Sequence, residues 1–115
     1  MKMLKMLILS LLLAFAVNTS QAKQEKEVAI TETISVNGNC ESCKKNIERA
    51  VKVKGVKKAN WDADTKTLTV TYLASKISND QLQRKIADSG YDTEKYKAPD
   101  EVYKNLHACC QYERK

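Results

Sequence analysis

Val28-Ala-Ile-Thr-Glu-Thr-Ile-Ser-Val-Asn-Gly-Asn-Cys-Glu-Ser-Cys-Lys-Lys-Asn-Ile-Glu-Arg-Ala-Val-Lys-Val53 changes its apolar period once, and that change decides the fold. Up to Val36 the residues alternate. Val28, Ile30, Ile34 and Val36 fall on one side and Ala29, Thr31, Thr33 and Ser35 on the other, which predicts a half-buried strand. Asn37-Gly-Asn39 breaks the period. From Ser42 to Val53, Ile47, Ala50 and Val51 recur at helical spacing among Lys44, Lys45, Glu48, Arg49 and Lys52, which predicts an amphipathic helix stopped by Gly55. Cys40 and Cys43 stand where the loop enters that helix.

Outward from this stretch, Val56 to Trp61 and Lys66 to Leu73 read as two strands of a hairpin joined by Asp62-Ala-Asp-Thr65, with Leu68, Val70 and Tyr72 alternating against Thr67, Thr69 and Thr71. A second helix follows. Ser78 is its N-cap, Gln81 completes a capping box, Ile77 and Leu82 form a hydrophobic staple, and Gly90 lies past its end. Tyr91 to Lys97 is expected as a short last strand. The order β-α-β-β-α-β is the ferredoxin-like α+β sandwich, expected over residues 28–97 as an antiparallel four-stranded sheet with both helices on one face. Connection handedness places the first two strands parallel with the third between them. The loop holding Cys40 then shares one end of the domain with the loop holding Gly90 and Tyr91.

The chain is 115 residues long, so one small domain and no multidomain enzyme is expected. Residues 1–22 carry Lys2 and Lys5, an apolar run from Met6 to Val17, and small residues at Ser20 and Ala22, the pattern of a secretory signal peptide. That run is too short for a bilayer, which takes about 20 helical residues. Export to a periplasm is the expectation, with no membrane span after cleavage, and with Lys23-Gln-Glu-Lys-Glu27 as a charged lead-in. The net charge of +6, with one Trp and one Phe and no alternation of aromatic and basic residues, gives no footprint for nucleic acid.

The four cysteines form two close pairs, Cys40/Cys43 and Cys109/Cys110. Two thiolates spaced Cys-x-x-Cys at a helix start can converge on one ion, and the helix N-terminus together with Lys44 and Lys45 is expected to favour the thiolate form at Cys43. Soft sulfur selects Cu(I), Hg(II) or Zn(II). With only two sulfurs and no His in the loop, the motif cannot close a four-ligand zinc site alone. A two-coordinate ion stays open to an incoming thiolate and can be handed on.

The stretch Val36-Asn-Gly-Asn-Cys-Glu-Ser-Cys43, with Ile47, Ala50, Val51, Gly55-Val56 and Ser89-Gly-Tyr91, resembles the heavy-metal-associated domain of copper chaperones, metal-pump N-termini and periplasmic mercury-binding proteins. The resemblance implies that Cys40 and Cys43 bind a soft ion, most of all Cu(I), and pass it to a similar domain, with Tyr91 as the aromatic residue beside the site. It implies a metal-transporting ATPase or an envelope efflux component as partner, and a monomer or a weak metal-bridged dimer. The family's usual Gly-Met-Thr-Cys lead is here Asn37-Gly38-Asn39-Cys40, so the Met that anchors the loop from below is absent at Gly38.

Residues 98–115 form a tail in which His107, Cys109 and Cys110 are candidate additional ligands. A vicinal disulfide, or a tail binding metal separately, is the alternative. From the far end of a last strand the tail reaches about 30 Å, enough to return over the Thr-rich sheet face. Lys44, Lys45 and Arg49, continued by Lys52, Lys54, Lys57 and Lys58, put a basic surface near the thiols that is either solvated or steers an acidic partner. No Ser/His/Asp set or paired carboxylates suggest an enzyme. The rival function is an extracytoplasmic thiol-disulfide oxidoreductase, although the one Pro, Pro99, lies in the tail.

Overall fold

The computed structural model describes residues 27–114. The leader and all of the lead-in except Glu27 lie outside the described residues. The elements are β1 (Ala29–Ser35), α1 (Glu41–Ala50), β2 (Val56–Asp62), β3 (Thr67–Leu73), α2 (Asn79–Asp88), α3 (Asp100–Lys104) and a 3-10 turn at Ala108–Cys110. The sheet order is β1-β3-β2. Both pairings are antiparallel, Ile34 facing Leu68 and Trp61 facing Leu68 from the other side, so β1 and β2 run parallel with β3 between them as the sequence predicts.

Alternation decides which face is covered. Ile34, Val36, Trp61, Leu68, Val70 and Tyr72 turn inward against Ile47 and Val51 around α1 and Leu82 and Ile86 of α2. Each such burial contributes roughly 1.5–3 kcal/mol relative to exposure. Thr31, Thr33 and Thr69 stay exposed on the outer face, where Thr31 and Thr71 hydroxyls share a 2.8 Å hydrogen bond. Val28, expected inside β1, precedes it and is 66% exposed, because β3 ends opposite Ala29 and leaves it no partner strand. Ser78 caps α2 with the full capping box, its hydroxyl accepting from Gln81 N at 3.1 Å. The expected staple is in place, with Ile77 and Leu82 both buried. Gly55 and Gly90 adopt φ of +99° and +114°, conformations that cost glycine least, at the two helix exits.

The expected fourth strand does not form. Among the described residues only a single bridge, Val36 to Thr93, continues the sheet. Side chains take the backbone groups that a strand would pair: Glu94 Oε1 accepts Ser35 N at 3.3 Å, and Gln83 Oε1 accepts Lys95 N at 3.0 Å. Thr93 N donates to Tyr96 O at 2.8 Å and Ala98 N donates to Asp92 Oδ1 at 2.7 Å, so the chain reverses within this segment. The tail therefore starts beside the Cys40 end and not opposite it, and among the described residues it does not cover the Thr-rich face, where Thr31, Thr33 and Thr69 are exposed. No helix among the described residues is long and apolar enough to cross a membrane.

Candidate metal centre

Cys40 is the N-cap residue of α1, in extended conformation, and Cys43 lies in the first turn. This brings their Sγ atoms to 3.5 Å. Asn39 N donates to Cys43 Sγ at 3.3 Å. The two sulfurs differ in access: Cys40 is half-buried and Cys43 is buried. Hydrogen bonding from the Cys43 backbone N–H, at the positive end of the helix, lowers the Cys40 pKa to about 7 against the opposing effect of burial, with further help from Cys109 and the Ser42 N–H. All four cysteines carry free thiols.

The loop is anchored from below by Trp61 of β2. The Trp61 indole is fully buried and donates from Nε1 to Val36 O at 3.0 Å. Gly38 lies against its six-membered ring, so close that an added Cβ would stand 2.9 Å from Cζ2. Trp61 thus fills the space beneath Gly38, and a side chain at position 38 has no room. Lys66 Nζ donates to the Gly38 carbonyl from the hairpin side and ties the loop down. A lone Trp at the end of the strand following a Cys-x-x-Cys helix was the available signal for this packing.

Tyr91 is beside the site as expected, fully buried, with its hydroxyl accepting from Asn46 Nδ2 at 2.9 Å. Burial pushes its pKa well above the usual phenol range. The tail packs against it. Cys110 Sγ lies 3.9 Å from Cys40 Sγ, and the sulfurs of Cys40, Cys43 and Cys110 all fall within 4.8 Å of one another. Cys109 is exposed, its carbonyl accepting from Cys40 Sγ at 3.4 Å and its sulfur 4.0 Å from that of Cys110. His107 is exposed and lies outside the group of three sulfurs.

The basic surface is only partly as expected. Lys44 is tied inward, to Glu48 at 2.5 Å, Asn60 Oδ1 at 2.7 Å and Trp61 O at 3.1 Å, so it serves the fold and not a free docking face. Lys45 and Arg49 line an open groove between α1 and β2 with Lys52, Lys57 and Lys58. A ten-residue helix spans about 15 Å, so most of this groove lies toward the end of α1 away from Cys40.

Residues 33–92 match the profile of the heavy-metal-associated domain. The chain belongs to the heavy-metal-associated domain family. Its Cys-x-x-Cys pair is Cys40 and Cys43. A copper chaperone CopZ of Staphylococcus haemolyticus (strain JCSC1435) is 35% identical over 65 residues, 55% of this chain and 96% of the relative. Oxidized MerP from Ralstonia metallidurans CH34 superposes with a TM-score of 0.55 at 33% identity, over 58% of this chain and 96% of MerP. The N-terminal domain of a potential copper-translocating P-type ATPase from Bacillus subtilis, solved in the Cu(I)-loaded state, gives a TM-score of 0.54 at 25% identity, over 57% and 85%. The α+β core with its two helices is common to this family, and the Cys-bearing tail lies beyond the matched residues.

Proposed function

We propose that this protein is an exported carrier of a soft metal ion, Cu(I) before Hg(II) or Zn(II), that binds through Cys40 and Cys43 and releases its cargo by thiolate exchange. The observation that carries the reading is the pair of sulfurs 3.5 Å apart at a helix start, one buried and one reachable from solvent. Soft thiolates select such ions. The buried Cys43 holds the cargo while the accessible Cys40 leaves first to an incoming thiolate. Likeness to a copper chaperone and to a Cu(I)-loaded pump domain supports Cu(I), and the leader pattern at residues 1–22 supports export to a periplasm.

The partner is a metal-transporting ATPase or an envelope efflux component presenting an acidic docking surface, with the groove of Lys45, Arg49 and Lys52 as the basic counterpart. The protein carries and does not turn over. In anaerobic titration with Cu(I), the reduced chain takes up the ion and Cys40→Ser/Cys43→Ser loses that uptake. Full uptake by the double variant would end this reading. Catalytic turnover of a dithiol substrate by the metal-free protein would favour a thiol-disulfide oxidoreductase instead.

A further inference from the structure

Cys110 is fully buried two residues before a set of contacts that fasten the tail to the domain. Buried cysteine is ordinarily a small apolar filler, but its sulfur here lies among the other two. The fastening is specific. The Tyr112 ring stacks on Tyr91 at 5.9 Å and meets the edge of Tyr103 at 5.0 Å. Its hydroxyl donates to Gly90 O at 2.9 Å and accepts Asp92 N at 2.8 Å. Arg114 then clasps Asp92 with two nitrogens at 2.7 and 3.0 Å, Asp100 at 2.7 Å and Ala98 O at 2.6 Å. The tail side of these contacts, Ala98, Asp100, Tyr103, Tyr112 and Arg114, lies outside the residues that match the family profile, and grips Gly90, Tyr91 and Asp92 at the profile's end.

We propose that Cys110 is a third sulfur donor to the ion held by Cys40 and Cys43, placed by the latch of Tyr112 and Arg114, and this rests on the function proposed above. A trigonal set of sulfurs, each about 2.3 Å from an ion, has sulfur-to-sulfur separations of about 4 Å. Cys40 and Cys110 are 3.9 Å apart, Cys40 and Cys43 are 3.5 Å apart, and all three lie within 4.8 Å. Small shifts bring them to that geometry. Tyr91, whose hydroxyl is held by Asn46 Nδ2 at 2.9 Å and whose ring stacks on Tyr112, is itself fixed, so the latch that places the third sulfur rests on a fixed ring. On binding, each thiol gives its proton to solvent. The tail then acts as a cover over the ion, and Cys40 remains the solvent-side ligand.

The test is copper-edge X-ray absorption on the reduced chain from Lys23 onward, loaded anaerobically with one equivalent of Cu(I) in thiol-free buffer at concentrations where it is monomeric. Three sulfurs are expected in the wild type and in Cys109→Ser, and two in Cys110→Ser. Cys110→Ser also holds Cu(I) at least tenfold more weakly against a soluble chelator. Arg114→Gln keeps all four thiols and raises the two-sulfur fraction, and it carries the test if circular dichroism shows Cys110→Ser unfolded. Two sulfurs in the wild type, an unchanged count in folded Cys110→Ser, or a loss in Cys109→Ser instead overturns the proposal. Two sulfurs with tight binding in the wild type removes only the third ligand, whereas tight binding by Cys40→Ser/Cys43→Ser removes the carrier reading itself.

Discussion

The Trp61 indole forms the floor beneath Gly38, with 2.9 Å between its Cζ2 and the place a Cβ would occupy on that glycine. The indole is pinned by its bond to Val36 O, so it cannot swing aside cheaply. Gly38→Ala therefore overpacks the loop and costs about 1–3 kcal/mol in urea unfolding. Trp61→Phe leaves Val36 O without that donor and costs about 1–3 kcal/mol. Wild-type stability in both variants would show that the floor does not hold the loop.

The Cys40 pKa of about 7 predicts a reactivity profile for the reduced, metal-free chain. Alkylation of Cys40 by iodoacetamide, followed by peptide mass spectrometry, rises to half its limit near pH 7. An ordinary thiol does so near ~8.5. A midpoint at the ordinary value would mean that the helix-start N–H groups do not hold the thiolate.

Asp92 links the tail to pH. Burial raises its pKa, but Arg114 and the Ala98 N–H outweigh burial and hold it below the usual carboxylate range. Its folded pKa is thus lower than its unfolded value of about 3.9. The resulting stability is present above that unfolded value and is lost as pH falls through the lower folded value. Asp92→Asn is expected to be about 2 kcal/mol less stable at pH 7, with the gap to wild type closing below about pH 4. A gap that stays constant into acid would remove this linkage.

Ser78 caps α2 through its hydroxyl, and its backbone N–H donates in return to Gln81 Oε1 at 3.0 Å. Ser78→Ala loses about 1 kcal/mol in denaturant, with Cu(I) uptake unchanged because the cap lies away from the thiols. Altered uptake would couple α2 to the site.

If the groove of Lys45, Arg49, Lys52, Lys57 and Lys58 steers an acidic partner, metal transfer slows as salt rises from ~10 mM to ~0.5 M, where the Debye length falls below about 5 Å. Reversing Lys45 and Arg49 to Glu slows transfer at low salt and leaves Cu(I) affinity unaltered. Transfer rates insensitive to salt would make the groove solvated surface only.

Local signals were sufficient for most of the scaffold. The switch of period around Cys40, the alternation of Leu68, Val70 and Tyr72, and the Ser78 to Gln81 capping box are short-range patterns, and strands and helices formed where they pointed. The closeness of Cys40 and Cys43 follows from their spacing at a helix start, which needs no distant contact. The stretch after Tyr91 was different, since its backbone groups could pair with a strand or with side chains. Gln83 reached in from α2 to take Lys95 N, Asp92 took Ala98 N within the stretch, and Glu94 reached across to Ser35 N of β1, pairings that no alternation pattern marks. That reversal sent the tail back to the thiols, where Tyr112 found Tyr91 and Arg114 found Asp92. Pattern along a chain reports which residues face the same way, whereas the meeting of Cys110 with Cys40 and of Trp61 with Gly38 depends on long-range packing that exists once the elements have closed on one another.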